Sequence, residues 1–220
     1  MRHGQSATKN IASPRLTLAE RAVQNDCMPS LHTDSAPAAT SPEGAGAASE
    51  LLIRQLERAD ASVYRAFRLR GLRDHPEAFT SSFEEENLRP LDYTEQRLAA
   101  GPNEKLWGAF VAGSLAGMVG LSRETRQKNR HKASLIGMYV APNYAGQGIG
   151  LALVQRLLSE AAADGVELIV LTVTDGNARA SALYASAGFA CFGTEPDAMR
   201  IGPLRFGKRH MYLQLPALAP

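Results

Sequence analysis

The sequence predicts an α/β fold, a mixed central sheet flanked by helices, and three observations carry that prediction. A strand-like run, residues 133–140, leads through a glycine-rich turn into a helix-like run, residues 151–163. Residues 166–174 are almost continuously apolar and β-branched, the mark of a strand covered on both faces. Along the chain, strand-like and helix-like spacings alternate in the order β α α β β β α β α β β.

The elements can be justified in turn. Leu51 to Leu56 reads as a first strand. Asp60 is a plausible N-cap for a helix through Asp74, on which Val63, Ala66, Phe67 and Arg70 fall at helical spacing and define the expected packed face. His75-Pro76 ends it. Residues 79–98 form a second helical region broken at Pro90. Leu106–Ala112 and Leu115–Ser122 are two strands joined tightly at Gly113-Ser114, a hairpin. Residues 123–132 are a polar connector. After the central strand, turn and helix, Gly165 suits the position just past a helix end. Ala178–Ala187 is a short helix. Phe189–Gly193 and His210–Leu215 are the last strands, with residues 194–209 as a connector between them.

Composition sets limits. The 220 residues give room for one domain with a tail, and 45% hydrophobic content is enough for a sizeable core. A net charge of +2 gives no reason to expect nucleic acid or an anionic membrane as partner. No apolar run approaches transmembrane length. Two cysteines, Cys27 and Cys191, without a Cys-x-x-Cys, argue against a disulfide framework or zinc site and suit a reducing, cytoplasmic compartment. Residues 1–48 are dominated by Ser, Thr, Ala, Pro and Gly, so they read as a disordered extension, with the domain over 49–220. Arg2, Lys9, Arg15 and Arg21 against Glu20 give the first 24 residues a faint presequence character, but an untargeted tail is the reading kept, and Met28 is an alternative start.

Met138 to Gly150 is the stretch around which the chain is organised. Gly146, Gly148 and Gly150 lie between the strand and the helix start. Glycines let backbone N–H groups crowd an anion, and the helix start adds unpaired donors and the positive end of its dipole. A P-loop needs Gly-x-x-x-x-Gly-Lys-Ser/Thr, and Leu151 breaks that spacing. A dinucleotide fingerprint is Gly-x-Gly-x-x-Gly; here the pattern is one residue short, although Asp175 at the end of the next strand keeps a nicotinamide-dependent Rossmann enzyme among the alternatives. A glycine turn without a ligand is the other.

Residues 145–150, Ala-Gly-Gln-Gly-Ile-Gly, resemble motif A of the GCN5-related N-acetyltransferases, Gln/Arg-x-x-Gly-x-Gly/Ala. Gly148 and Gly150 match its small positions; Ala145 departs from its Gln/Arg. Residues 177–189, with Asn177, Leu183-Tyr184 and Gly188-Phe189, resemble motif B, and Gly137 to Pro142 resembles the family's fourth strand. The resemblance covers residues 50–215 and is strongest over 133–193. It implies a GNAT-like mixed, mostly antiparallel sheet with a splayed pair of parallel strands around the cofactor. It implies acetyl-CoA as cosubstrate, with no metal, and an amine acceptor on a protein or small molecule, with a monomer or homodimer as the assembly. It also implies cofactor contacts from Met138, Tyr139, Val140, Ala145, Gly146, Gln147, Gly148, Ile149, Gly150, Asn177 and Tyr184.

The same resemblance implies that bulged-strand amides at Met138–Val140 meet the acetyl carbonyl and that Tyr184 protonates the leaving thiolate. The structural alternatives are an ordinary ladder strand, a core tyrosine on the Ala180–Leu183–Tyr184–Ala187 face, and a helix N-cap at Asn177. Arg179 is a candidate for the 3′-phosphate, with a solvated arginine as the default. Cys191 reads as a buried thiol with no neighbouring His to activate it, so direct attack in a ternary complex is expected. The basic run Arg123 to Lys132 reads as a solvated tip. For the acceptor side the clues conflict: Glu84-Glu85-Glu86 suits a cation, and the arginines of residues 194–209 suit a carboxylate. No general base stands out; Glu124 is the only side chain offered. A catalytically weak acyl-CoA sensor of the same fold is the second functional hypothesis.

Overall fold

The computed structural model describes residues 50–99 and 101–216; the expected extension over 1–48 lies outside them. Among the described residues seven strands form one sheet: β1 (Leu51–Gln55), β2 (Glu104–Val111), β3 (Ser114–Arg123), β4 (Lys132–Val140), β5 (Leu168–Thr174), β6 (Ala190–Ile201) and β7 (Leu204–Gln214). Their order is β1-β2-β3-β4-β5-β7-β6, and only β4 and β5 run parallel. The helices are α1 (Ala61–Asp74), α2 (Phe83–Leu88), α3 (Leu91–Leu98), α4 (Ile149–Ala163) and α5 (Ala178–Ser186). No described helix is long and apolar enough to cross a membrane.

The sheet has two unequal faces. On one, α4 buries Ile149, Leu153, Val154, Leu157 and Ala161, spaced as one helical stripe, against Ala133, Leu135, Ile169, Leu171, Val173 and Met211. On the other, α1 packs Tyr64, Phe67 and Leu72 with Leu106, Leu115, Met118 and Tyr139, and no residue of β5, β6 or β7 joins that cluster. Burial at this scale is worth roughly 1.5–3 kcal/mol per large apolar side chain.

Four expectations change. The packed face of α1 is Ala61, Tyr64, Phe67, Arg68 and Leu72; Val63 is 52% exposed, and Ala66 and Arg70 face solvent. The stripe was shifted because Arg68, buried and paired with Glu86 at 3.3 Å, reads as polar in sequence. Strand β5 is not covered on both faces: Thr172 is exposed, because α1–α3 stop at β4. Asp60 occupies the N-cap position, but its carboxylate accepts from Arg54 at 2.7 Å and from the Glu57 amide at 2.8 Å instead of capping α1. Residues 194–209 are not a connector. They continue β6 and β7 as a two-stranded ribbon, turning at Gly202 with φ +56°. Both faces of the ribbon are wet, so no apolar alternation marked it. Asp197 sits at φ +51° in a bulge and accepts from Arg200 and Arg205, both at 2.6 Å.

Candidate active site

Strand β4 is the hinge of the site. Its pairing with β3 slips between Met118 and Gly120, which face Tyr139 and Ile136, so β4 carries one extra residue there. Gly137 takes φ +61° within that bulge, a conformation a Cβ would strain. On its other edge β4 pairs with β5 only over Lys132–Ser134 and Leu168–Val170. Beyond Ser134 the two parallel strands part, which is the splay the sequence reading expected. The Ala141 amide donates to Ala116 on β3 at 2.9 Å. By strand alternation the Tyr139 amide points the same way and the Val140 amide points into the gap, with Met138 beside it in the bulge.

The turn after β4 completes the cleft. Ala145 closes a short 3-10 turn by donating to Pro142 O at 3.1 Å. Gly146 and Gly148 take φ +79° and +77°, and a Cβ built on either meets nothing within 4 Å. Gly148 is the N-cap of α4, and no side chain caps the amides of the first turn, Ile149, Gly150 and Leu151. These donors lie beside the open space at Gly146 and Gly148, at the positive end of the helix dipole. Gln147 is exposed and folds back to donate to Asn143 O at 3.2 Å; Ile149 is anchored in the core. Gly150 differs from its two neighbours. A Cβ there would meet Leu183 Cδ2 at 3.2 Å and Met138 Cε at 3.3 Å, so this glycine serves the approach of α5 and β4 to α4.

The remaining candidates sort by side chain. Tyr139 turns its ring away from the cleft, packed on Phe67, His75 and Phe79 at centroid distances of 5.2, 5.9 and 6.0 Å. Its hydroxyl is buried with no partner among the described residues, and desolvation pushes the phenol up. Asn177 caps α5 by accepting from the Ala180 amide at 3.0 Å. Tyr184 is 5% exposed and meets Phe189 edge-on at 5.9 Å; burial raises its phenol well above the ordinary range, which keeps it protonated at neutral pH. Arg179 is exposed, and Cys191 is half-buried with its thiol 3.7 Å from Gly193 O.

On the acceptor side, the acidic run is largely engaged: Glu85 completes a capping box with Ser82, and Glu86 is paired with Arg68 and Arg89. Glu124 is exposed just past β3, and its amide donates to Lys132 O at 3.0 Å, at the opposite end of β4 from the glycine turn. Sequence reasoning passed over the contacts that tie the α1–α2 connection to the sheet. The Thr174 hydroxyl donates to Glu77 O at 2.6 Å, and Lys208, 9% exposed, bonds to the Thr80 hydroxyl. Desolvation lowers the Lys208 ammonium's pKa, against the raising effect of Glu195. It also passed over Gly137, whose signal was present: a glycine inside a strand marks a bulge.

The model of the Acetyltransferase (GNAT) family matches residues 69–189, more than half of the 220. The chain belongs to this family. The match spans β4, the glycine turn and Tyr184. The [Ribosomal protein bS18]-alanine N-acetyltransferase of Escherichia coli (strain K12) is 32% identical over 120 residues, 50% of this chain and 78% of that protein. An acetyltransferase of the GNAT family from Streptococcus pneumoniae superposes with a TM-score of 0.68 at 27% identity, over 76% of this chain and 100% of that one. A Salmonella typhimurium structure described as holding acetyl-CoA as its cofactor superposes with a TM-score of 0.65 at 22% identity, over 78% and 98% of the two chains. The family's mixed, mostly antiparallel sheet with one splayed parallel pair is the fold of this chain.

Acetyl-CoA fits the cleft on two observations. The Cβ-free space at Gly146 and Gly148 lies beside uncapped helix amides, which suits a pyrophosphate. The unpaired edge of β4 suits an extended amide-bearing arm, which can pair with it as a strand would.

Proposed function

We propose that the chain is an acetyl-CoA-dependent N-acetyltransferase that passes the acetyl group to a primary amine, of a protein or a small molecule, by direct attack in a ternary complex. One observation carries the reading: the αL glycine turn and the open edge of β4 put backbone donors on two sides of a single cleft. When bound, acetyl-CoA supplies the activated acetyl thioester. In this reading the amides of Gly146 through Gly150 hold the pyrophosphate, with Ala145 beside them. The amides of Met138 and Val140 hold the pantetheine arm and polarise the acetyl carbonyl, with Tyr139 contributing backbone only. Asn177 orients the start of α5, and Tyr184 gives its proton to the departing sulfur. The domain would span residues 49–220, with 1–48 separable and the protein acting in the cytoplasm.

The E. coli relative's name gives an alanine of ribosomal protein bS18 as its acceptor, which supports a protein amine here without identifying the protein. A second reading, an acyl-CoA-binding module with little turnover, is favoured by the burial of Tyr184 against Phe189. The test is a screen of amines, including peptides with free N-termini, followed by release of coenzyme A thiol. Steady thiol release with an acetylated amine supports the enzyme. Acetyl-CoA binding without release supports the module, and a thermal shift with NAD but not acetyl-CoA overturns both.

A further inference from the structure

The reading above leaves the acceptor's proton without a destination. A primary ammonium has no lone pair, so attack on the thioester requires a base. The sheet face beyond β4 holds one arrangement suited to that task. On β5, Ile169, Leu171 and Val173 point into the core with Met211 of β7, so alternation puts Thr172 and Thr174 on the opposite face with Lys208 and His210. The Thr174–Glu77 and Lys208–Thr80 contacts to the α1–α2 connection agree with that assignment. His210 pairs in register with Thr172 on one side and Gly193 on the other. Thr172 lies on the part of β5 that has left β4, so His210 is one strand, about 5 Å, from the splayed cleft.

His210 is held rather than loose. Its Nε2 lies 3.0 Å from Glu195 Oε2, and its ring meets Phe192 edge-on at 5.9 Å. Phe192 in turn packs on Tyr212 at 5.8 Å. A carboxylate only accepts, so Nε2 carries the hydrogen and Nδ1 keeps its lone pair. The other polar and charged groups facing His210 are Lys208 and Tyr212 on β7, Thr172 and Thr174 on β5, and Glu77 and Thr80 on the α1–α2 connection. Lys208 is occupied by Thr80; the Glu77 carbonyl accepts from Thr174, and its carboxylate lies 3.9 Å from His75 Nδ1. The α1–α2 connection covers Thr174 and Lys208 at one end of the face, whereas Thr172 and Glu195 are exposed and Phe192 is 61% exposed.

We propose that His210, oriented by Glu195, is the general base of the acetyl transfer, and that the open face of β5, β7 and β6 is where the acceptor amine docks. This rests on the acetyltransferase reading. A proton passes from the acceptor ammonium to His210 Nδ1, directly or through one water. The freed lone pair forms the C–N bond as the C–S bond breaks. The sulfur takes a proton from Tyr184, the second amine proton leaves with the acetylated nitrogen's rearrangement to neutral amide and reprotonates Tyr184, and the imidazolium returns its proton to water. The sum is ammonium plus thioester to amide, thiol and one proton.

The test separates base catalysis from positioning by the acceptor's own basicity. Wild type, His210→Gln and Glu195→Gln are assayed at pH 6.5 with a peptide bearing a free alanine N-terminus, mostly protonated, and with hydroxylamine, mostly unprotonated. The assignment predicts that His210→Gln lowers kcat/KM for the peptide about 10²-fold, with Glu195→Gln intermediate, while hydroxylamine transfer changes by less than about threefold. Acetyl-CoA affinity and the circular dichroism melt should be unchanged in both variants, and nitrogen NMR of wild type should show the Nε2–H tautomer at high pH. Equal loss on both acceptors, no loss on either, or an Nδ1–H tautomer overturns the assignment while leaving the enzyme reading intact. Wild type that acetylates neither probe overturns both.

Discussion

The two faces of the sheet differ in what they use to meet a ligand. The α4 face offers backbone: glycines at positive φ, uncapped amides and an unpaired strand edge. The opposite face, beyond β4, offers side chains: Thr172, Glu195 and Phe192 are exposed and His210 is half-buried among them. Backbone recognition constrains glycine positions and spacing tightly but leaves neighbouring side chains free. Side-chain recognition constrains identities but not spacing, because distant strands bring the groups together. A ligand shared by many proteins suits the first device, and an acceptor particular to one protein suits the second.

Substitutions at the turn should break the first device most sharply. Gly148→Val places a β-branched residue at φ +77° and fills the open space beside the helix amides. We expect acetyl-CoA affinity to fall by at least about 10²-fold, with a stability loss of about 1–3 kcal/mol from the strained backbone. Gly150→Val should behave differently. Its methyls meet Leu183 and Met138, so the loss, again about 1–3 kcal/mol, comes from overpacking, and surviving folded protein should keep more of its affinity. Titration calorimetry beside a thermal melt distinguishes the two, and equal affinity loss at equal stability would erase the difference drawn between these glycines.

Tyr184→Phe is the next largest effect. It keeps the ring against Phe189 and removes the proton donor, so turnover should drop about 10²-fold while acetyl-CoA still binds. Retained turnover would make Tyr184 a core residue only. The same tyrosine carries a pH signature. Its folded phenol is raised above its unfolded value by burial, so its contribution is fully present below about pH 10 and is lost as pH rises toward the folded value. Melts of Tyr184→Phe should therefore lose less stability than wild type between pH 9 and pH 11. An identical alkaline loss in both proteins would mean that the phenol is not shielded in solution.

How legible these features were in sequence follows the same division. Gly146, Gly148 and Gly150 stood out because a backbone device leaves a fixed spacing, and the strand before them and helix after them were equally plain. The splay needed the family resemblance, since no local pattern says where two parallel strands part. The packed face of α1 was misplaced because buried Arg68 counted as polar and exposed Val63 as apolar. The β6–β7 ribbon was missed because wet strands carry no alternation, and with it went the Glu195–His210 pair, whose members are 15 residues apart and meet only through that ribbon.

The smallest effects probe single side chains beside the cleft. Tyr139→Phe deletes a buried hydroxyl that has no partner among the described residues, so stability should hold or rise by up to about 1 kcal/mol. Activity should not change, because Tyr139 is assigned a backbone role; a marked loss of turnover would bring its hydroxyl into the chemistry. Ala145→Arg adds a cation beside the expected phosphates and should tighten acetyl-CoA severalfold or leave it unchanged, an effect that high salt should weaken.

The most direct test of the backbone device is an amide NMR titration of the protein with acetyl-CoA. The account predicts the largest shifts, and the strongest new protection from exchange, at Met138, Val140 and Gly146 through Leu151, with the exposed amides of β1 and α3 unmoved. Saturable binding that leaves residues 146–151 unperturbed would contradict it.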